Sequence, residues 1–228
     1  MFGGWFIAAV LALGGVYLWT RWQHLARAQF IRSYTFPRGL FDKLHARRPE
    51  LELKQMQLVA RALRQFFLAH LLSGRKFVSM PSQVTDDLWH EFILYTRNYD
   101  EFCRRAFGRF MHHTPAVVLG ADRQNNAGLR RAWWFACKEE NIDPAAPTRL
   151  PLLFAVDSKL GIRDGFVYAP DCRKLRSDDG GSGTPVHCGG DFSNSSVDGS
   201  TDGFGNSDAG DSGGGDSGCG GGCGGGGD

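Results

Sequence analysis

The sequence predicts a mainly α protein with an N-terminal transmembrane helix, one helical domain of four to five helices and a disordered glycine-rich C-terminal tail. Three observations predict this class. The chain opens on an uncharged apolar run, its middle repeats apolar residues at three- and four-residue steps, and the residues after Arg176 are almost only Gly, Ser, Asp, Asn and Thr. The implied segments are an anchor at 1–20, a basic juxtamembrane segment at 21–48, the helical domain at 49–175 and the tail at 176–228.

The first element is an apolar run from Gly3 to Trp19, which Thr20 extends to the first charge at Arg21. As a helix it would span about 26–30 Å, near the lower limit for a bilayer core. We expect an uncleaved anchor rather than a signal peptide, because no basic residue precedes the run and no small-residue cleavage site follows it.

The flanks of this run predict its orientation. Arg and Lys follow the run closely and none precedes it, so the positive-inside rule places the body in the cytoplasm, at the inner membrane. The same basic segment would rest on anionic lipid heads. Thiols in that compartment are reduced, so the six cysteines are expected as thiols or ligands rather than as disulfides.

The body contains several helical patterns. A helix starting near Pro49 ends at Ser73-Gly74, and a second begins at the N-cap Ser82, with Asp86 and Asp87 in its first turns, and runs to Gly108. A third is expected over 124–141, with short helices over 40–46 and 150–160. These patterns predict helices packed around one core.

The tail is expected to stay disordered, since so polar a segment cannot bury enough apolar area to offset its ordering entropy. Residues 177–228 hold nine Asp and no Lys, Arg or Glu, so the body up to Arg176 has a formal charge of +11. Either the body faces an anionic lipid or nucleic-acid surface, or the tail screens it.

One stretch carries a recognisable pattern of aromatic, glycine and histidine residues. The residues of this pattern are Asp86, Trp89-His90, Tyr99, Phe102-Cys103, Phe107-Gly108, Phe110, His112-His113 and Pro115. The pattern resembles the glycine-rich domain-containing protein-like family, well over Met80 to Pro115 and loosely over Leu51 to Asn141. The resemblance implies a helical fold and no settled activity, and the anchor is not part of the family pattern.

The same stretch holds a candidate metal site. Asp86 and His90 are four residues apart and share a helix face. Only one of the adjacent His112 and His113 would point toward them. Asp, His and His would suit zinc, iron or manganese with a position open for water. The alternatives are that these histidines are hydrogen-bonded core residues, or that they transfer protons.

The tail carries a second set of possible ligands in Cys188, Cys219 and Cys223, beside His187. A flexible chain with three thiols and an imidazole can wrap Zn²⁺ or Cu⁺. The alternative is a low-complexity spacer whose cysteines are incidental, because ordering so glycine-rich a chain costs much of the ligation energy.

These observations favour a membrane-anchored cytoplasmic binding or scaffold protein with a protein partner. The sequence contains no established catalytic signature, so an enzyme is not the first expectation. One alternative is a metal-binding protein or metal-dependent enzyme that uses Asp86, His90 and His112 or His113. Another is nucleic-acid or anionic-lipid binding through the basic body, which would depend steeply on salt.

Overall fold

A computed structural model describes residues 2–113, 127–170 and 186–188; at residues 2–6, 8 and 186–188 it describes the backbone alone. The described chain is mainly α, as the sequence predicts. Its elements are α1 (Phe2–Ser33), α2 (Leu40–Arg47), α3 (Leu53–Leu72), α4 (Gln83–Leu94), α5 (Thr96–Phe107), α6 (Ala127–Glu139), α7 (Leu152–Leu160), β1 (Val167–Ala169) and β2 (Val186–Cys188).

The predicted membrane anchor is wrong. Among the described residues, no helix is long and apolar enough to cross a membrane. A bilayer core requires about 20 consecutive apolar residues. In α1 the charge of Arg21 ends the apolar run, and the side chains before Ala9, apart from Ile7, lie outside the described residues. The single-pass topology at the inner membrane and the cytoplasmic location of the body, both derived from the anchor, fall with it.

The second half of α1 belongs to the folded core. Ile31 is fully buried, and the Phe30 ring lies 5.8 Å from that of Phe102 in α5. Arg27 donates a hydrogen bond to the carbonyl oxygen of Phe107, at the end of α5. Leu40 and Leu44 of α2 are also fully buried. The core therefore includes residues from the segment 21–48.

Helix α3 is the central element, and it contacts α1, α2, α4, α6 and α7. It begins with a reciprocal capping box between Glu52 and Gln55, which satisfies backbone N–H groups of its first turn. Phe67 lies at its centre within ring contact of four aromatic side chains from α4 and α5, which make the core largely aromatic. Those side chains are Trp89, Phe92, Phe102 and Phe107.

The predicted second helix is broken into α4 and α5 at Tyr95, whose ψ of 59° is not helical. The amide of Tyr95 bonds to the Phe92 carbonyl at 3.1 Å, and the next helix starts with the bond from Tyr99 to the Tyr95 carbonyl. The break folds α5 back against α4, so the Phe92 and Phe102 rings pack edge-to-face at 5.6 Å. Apolar spacing continues through the break, which is why the sequence predicts one helix.

Two short strands pair in parallel, with Val167 opposite Val186 and Ala169 opposite Cys188. Strand β2 lies within 176–228, the segment predicted to be disordered, so regular pairing reaches Cys188. The rest of that tail lies outside the described residues.

Candidate metal centre

The start of α4 is held firmly in place. Ser82 caps the helix by accepting a hydrogen bond from the Thr85 amide, as predicted for an N-cap. The buried carboxylate of Asp157 accepts further bonds from the Ser82 hydroxyl at 2.7 Å and from the amides of Gln83 and Val84. The first backbone N–H groups of a helix have no partner within the helix, and these bonds satisfy them here. The position of α4, and of the side chains it carries, is thereby fixed.

Asp86 and His90 lie on one face of α4, one turn apart. Nδ1 of His90 donates to the backbone carbonyl oxygen of Asp86 at 2.9 Å and lies 3.4 Å from a carboxylate oxygen of the same residue. With its Nδ1 proton committed to a carbonyl, the neutral His90 ring carries its lone pair on Nε2.

The third residue of the site is His113, and hydrogen bonds between α4, α5 and the segment after α5 hold it at this face. The Trp89 indole donates to the hydroxyl of Tyr99 at 3.2 Å, and that hydroxyl donates to the Met111 carbonyl at 2.6 Å. The segment after α5 is thereby fixed beside α4. The His113 ring packs edge-on against Trp89 at 4.5 Å, and its Nε2 lies 2.9 Å from a carboxylate oxygen of Asp86.

Asp86, His90 and His113 together form a compact set, the Asp86–His90–His113 cluster. Each can offer one ligand atom, and these atoms all lie within 4.8 Å of one another. The His90 and His113 rings are 4.2 Å apart. Side-chain exposure is 22% for Asp86, 44% for His90 and 13% for His113, so the cluster is half-buried and open to solvent on one side.

The other nearby candidates lie elsewhere. His112 is exposed, packs edge-to-face against Phe110 at 4.9 Å and lines a separate cleft. Asp87 is bound by Arg48 at 2.7 Å and is not one of the residues whose ligand atoms converge with those of the histidines. Of the predicted pair His112 and His113, the structure therefore brings His113 to Asp86 and His90.

The two cysteines whose side chains the structure describes do not join this cluster. Cys103 and Cys137 are buried free thiols. Burial raises the pKa of Cys137 to about 12 and also raises the pKa of Cys103, so both remain protonated at neutral pH. Strand β2 ends at Cys188, whose side chain is not described, and Cys219 and Cys223 lie outside the described residues.

Sequence reasoning missed the residues that position His113. Tyr99 and Met111 are twelve residues apart and make their bond only because the chain turns after α5. The one indication available in the sequence was the place of Tyr99 in the aromatic pattern, which assigns it no partner.

A comparison with protein-family models matches residues 26–192, well over half of the 228-residue chain, to the family described as UCP032817-like. No curated protein matches the chain, and no solved structure matches it. The resemblance to the glycine-rich domain-containing protein-like family stays a prediction. By the extent of the family match, the chain belongs to the UCP032817-like family.

Proposed function

We propose that this protein binds one divalent transition-metal ion through Asp86, His90 and His113. The observation that carries the proposal is the convergence of one carboxylate and two imidazole ligand atoms within 4.8 Å of one another. Two histidines and one carboxylate are a donor set used for zinc and for non-haem iron, and the set leaves coordination positions free.

The hydrogen bonds around the cluster support this proposal. Nε2 of His113 donates to the Asp86 carboxylate at 2.9 Å. An ion placed between them takes the position of that proton and keeps the attraction to the carboxylate. The Nδ1–H bond of His90 to the Asp86 carbonyl fixes its ring beside the Asp86 carboxylate, as supporting hydrogen bonds do for metal-binding histidines.

The surroundings of the cluster support an ion that can exchange ligands. Trp89 is 3% exposed and walls one side of His113. His90 is the most exposed of the three residues, so water can complete the coordination shell from that side. A site with three protein ligands and an open position is the arrangement found in catalytic rather than structural zinc centres.

The test is calorimetric titration of Zn²⁺ into the full chain carrying Cys188→Ser, Cys219→Ser and Cys223→Ser, so that tail thiols contribute nothing. We expect one equivalent of zinc to bind. His113→Gln and Asp86→Asn should each weaken binding more than tenfold, since losing even a supporting residue of a metal site costs about 10–100-fold.

His112→Gln is the matched control and should bind zinc as the parent chain does, because His112 faces away from the cluster. His90→Ala keeps the test decisive if His113→Gln unfolds, since His90 is 44% exposed. Equal zinc affinity in the parent chain and in both His90→Ala and Asp86→Asn would contradict the proposal and leave the histidines as core residues.

A scaffold role with a protein partner and nucleic-acid binding through the basic body both stay predictions. No specific contact of the described residues favours either of them.

A further inference from the structure

A second feature of the molecule is a cleft of about 530 Å³ that Trp89 helps to line and that Asp86, His90 and His113 do not. Its volume falls within the about 300–1,000 Å³ typical of small-molecule sites. The end of α3, the connector to α4 and the segment after α5 form its walls. The lining residues are His70, Arg75, Phe77, Val78, Met80, Trp89, Arg109, Phe110, Met111 and His112. We call it the Arg75–Arg109 cleft.

The described residues that line the cleft carry positive charge. They include two guanidinium groups and, within the described ranges, no Asp or Glu. Within the described parts of the chain, Arg75 and Arg109 bond to backbone carbonyls and not to carboxylates: Arg75 donates to Phe107, and Arg109 donates to Arg75. Each guanidinium has five N–H donors, so these bonds hold the groups in place and leave donors for a ligand.

An unusual backbone conformation places Arg75 at the cleft. The chain leaves α3 through two residues in the left-handed region, Gly74 with φ 75° and Arg75 with φ 66°. The Arg75 amide closes this turn on the His70 carbonyl at 2.9 Å. A left-handed arginine is uncommon, and here it sets the side chain at the junction of α3 and α5.

The rest of the lining is apolar and aromatic. Trp89, Val78 and Met111 are buried and form the floor. Phe77 and Phe110 are about two-fifths exposed, at 43% and 42%, and stand at the edges. Large aromatic side chains left exposed around a concave surface are typical of a binding site rather than of a packed core.

We propose that the Arg75–Arg109 cleft binds a small organic anion with a flat apolar body and a single carboxylate or phosphate. The body would lie against Trp89, between the two phenylalanines, and the anionic group would meet the arginines. Arginine suits planar two-point recognition of either group. The proposal does not depend on the metal, since none of the three cluster residues lines the cleft.

The test uses probes that share one apolar body and differ in charge. 2-Naphthoate, 2-naphthyl phosphate and the uncharged 2-naphthamide are titrated calorimetrically into the full chain with EDTA present, which keeps the metal cluster empty. We expect at least one anion to bind at least about tenfold more tightly than the amide, the difference expected when charged hydrogen bonds are lost. The tighter of the two anions identifies the head group.

Variants of the arginine then locate the binding. Arg109→Gln should weaken binding of the preferred anion at least about tenfold, while Arg109→Lys, which keeps the charge but loses the planar two-point geometry, should weaken it less. Arg104→Gln is the control, because Arg104 is an exposed cation of α5 outside the cleft.

Three results with the probes and with Arg109→Gln would overturn the proposal. One is equal binding of the amide and both anions, and another is unchanged anion affinity in Arg109→Gln. The third is no binding of any of the three probes at millimolar concentration to the folded chain. An equal loss of affinity in Arg104→Gln would also count against it, because that loss would place the anion outside the cleft.

Discussion

At the residue scale, His70 shows how burial fixes a protonation state. The side chain is 6% exposed, and its Nδ1–H donates to the Lys76 carbonyl at 2.9 Å. Burial, assisted by the charges of Arg109 and Arg75, lowers the pKa of His70 from 6.5 to about 4. The ring is therefore neutral in the folded protein at every pH where an exposed histidine titrates.

This shift predicts a pH dependence of stability. Between pH 6.5 and pH 4 the unfolded chain binds a proton at His70 that the folded chain does not. The neutral His70 therefore lowers the free energy of unfolding by nothing above pH 6.5. As the pH falls from 6.5 toward 4, protonation of His70 in the unfolded chain lowers the free energy of unfolding by up to about 3 kcal/mol. Urea unfolding at a series of pH values measures it.

His70→Asn provides the control for this dependence, since its amide can donate to the Lys76 carbonyl and does not titrate. The variant should lose less stability than the parent protein between pH 6.5 and pH 4. Parallel curves for the two proteins would show that His70 does not carry the effect.

At the element scale, Asp157 ties the start of α4 to α7. It is 2% exposed and accepts four hydrogen bonds, the fourth from the Phe166 amide at 2.9 Å. Three elements meet at this one carboxylate, because α7 supplies it, α4 supplies donors and the segment before β1 supplies another. Since α4 carries Asp86 and His90, Asp157 also supports the metal cluster.

We expect Asp157→Asn to lower the free energy of unfolding by about 2–4 kcal/mol, because the amide directs N–H groups at backbone donors and leaves them unsatisfied. Asp143→Asn is the comparison, since Asp143 is exposed and accepts one backbone bond at 2.9 Å from Ala145. It should lose less than about 1 kcal/mol. Chemical denaturation compares them, and similar losses in the two variants would contradict the role of Asp157.

Much of the fold at this scale was predictable. Helices near α3 and α6, the N-cap at Ser82 and the end at Gly108 follow from spacing and capping chemistry, which are local. The break at Tyr95 could not be predicted in this way, because apolar residues keep their helical spacing through it. The turn results from the packing of α5 on α4.

The candidate site was predictable to the same extent. Spacing alone places Asp86 and His90 on one helix face. The choice of His113 over His112 depends on the bond from Tyr99 to the Met111 carbonyl, a contact across a turn that no local pattern encodes. The Arg75–Arg109 cleft was missed for a similar reason, since its arginines come from segments 34 residues apart.

At the scale of the whole molecule, Arg48 joins distant parts of the chain. Placed just after α2, it binds Asp87 of α4 at 2.7 Å and Asp164, beyond α7, at 2.6 Å. The hydrogen bonds to Asp164 and Asp87 raise the pKa of the Arg48 guanidinium above its ordinary value. The Asp87 side chain is 9% exposed, so its charge depends on this partner.

Arg48→Met should lower the free energy of unfolding by about 2–4 kcal/mol, because it leaves the Asp87 carboxylate buried with Arg47, at 3.5 Å, as its remaining cationic partner among the described residues. Arg104→Met removes an exposed i,i+4 pair with Asp100 and should change stability by less than about 0.5 kcal/mol. Thermal and urea unfolding of both variants measure the difference. A loss in Arg48→Met no larger than in Arg104→Met would contradict the bridging role.

The central claim is that Asp86, His90 and His113 bind a metal ion, and elemental analysis tests it most directly. The full chain with its three tail cysteines changed to serine is purified without a metal-affinity tag and analysed by mass spectrometry beside its Asp86→Asn variant. We predict close to one equivalent of zinc, iron or manganese in the former and a large loss in the latter. A folded protein without metal, or with the same content in both chains, would contradict the claim.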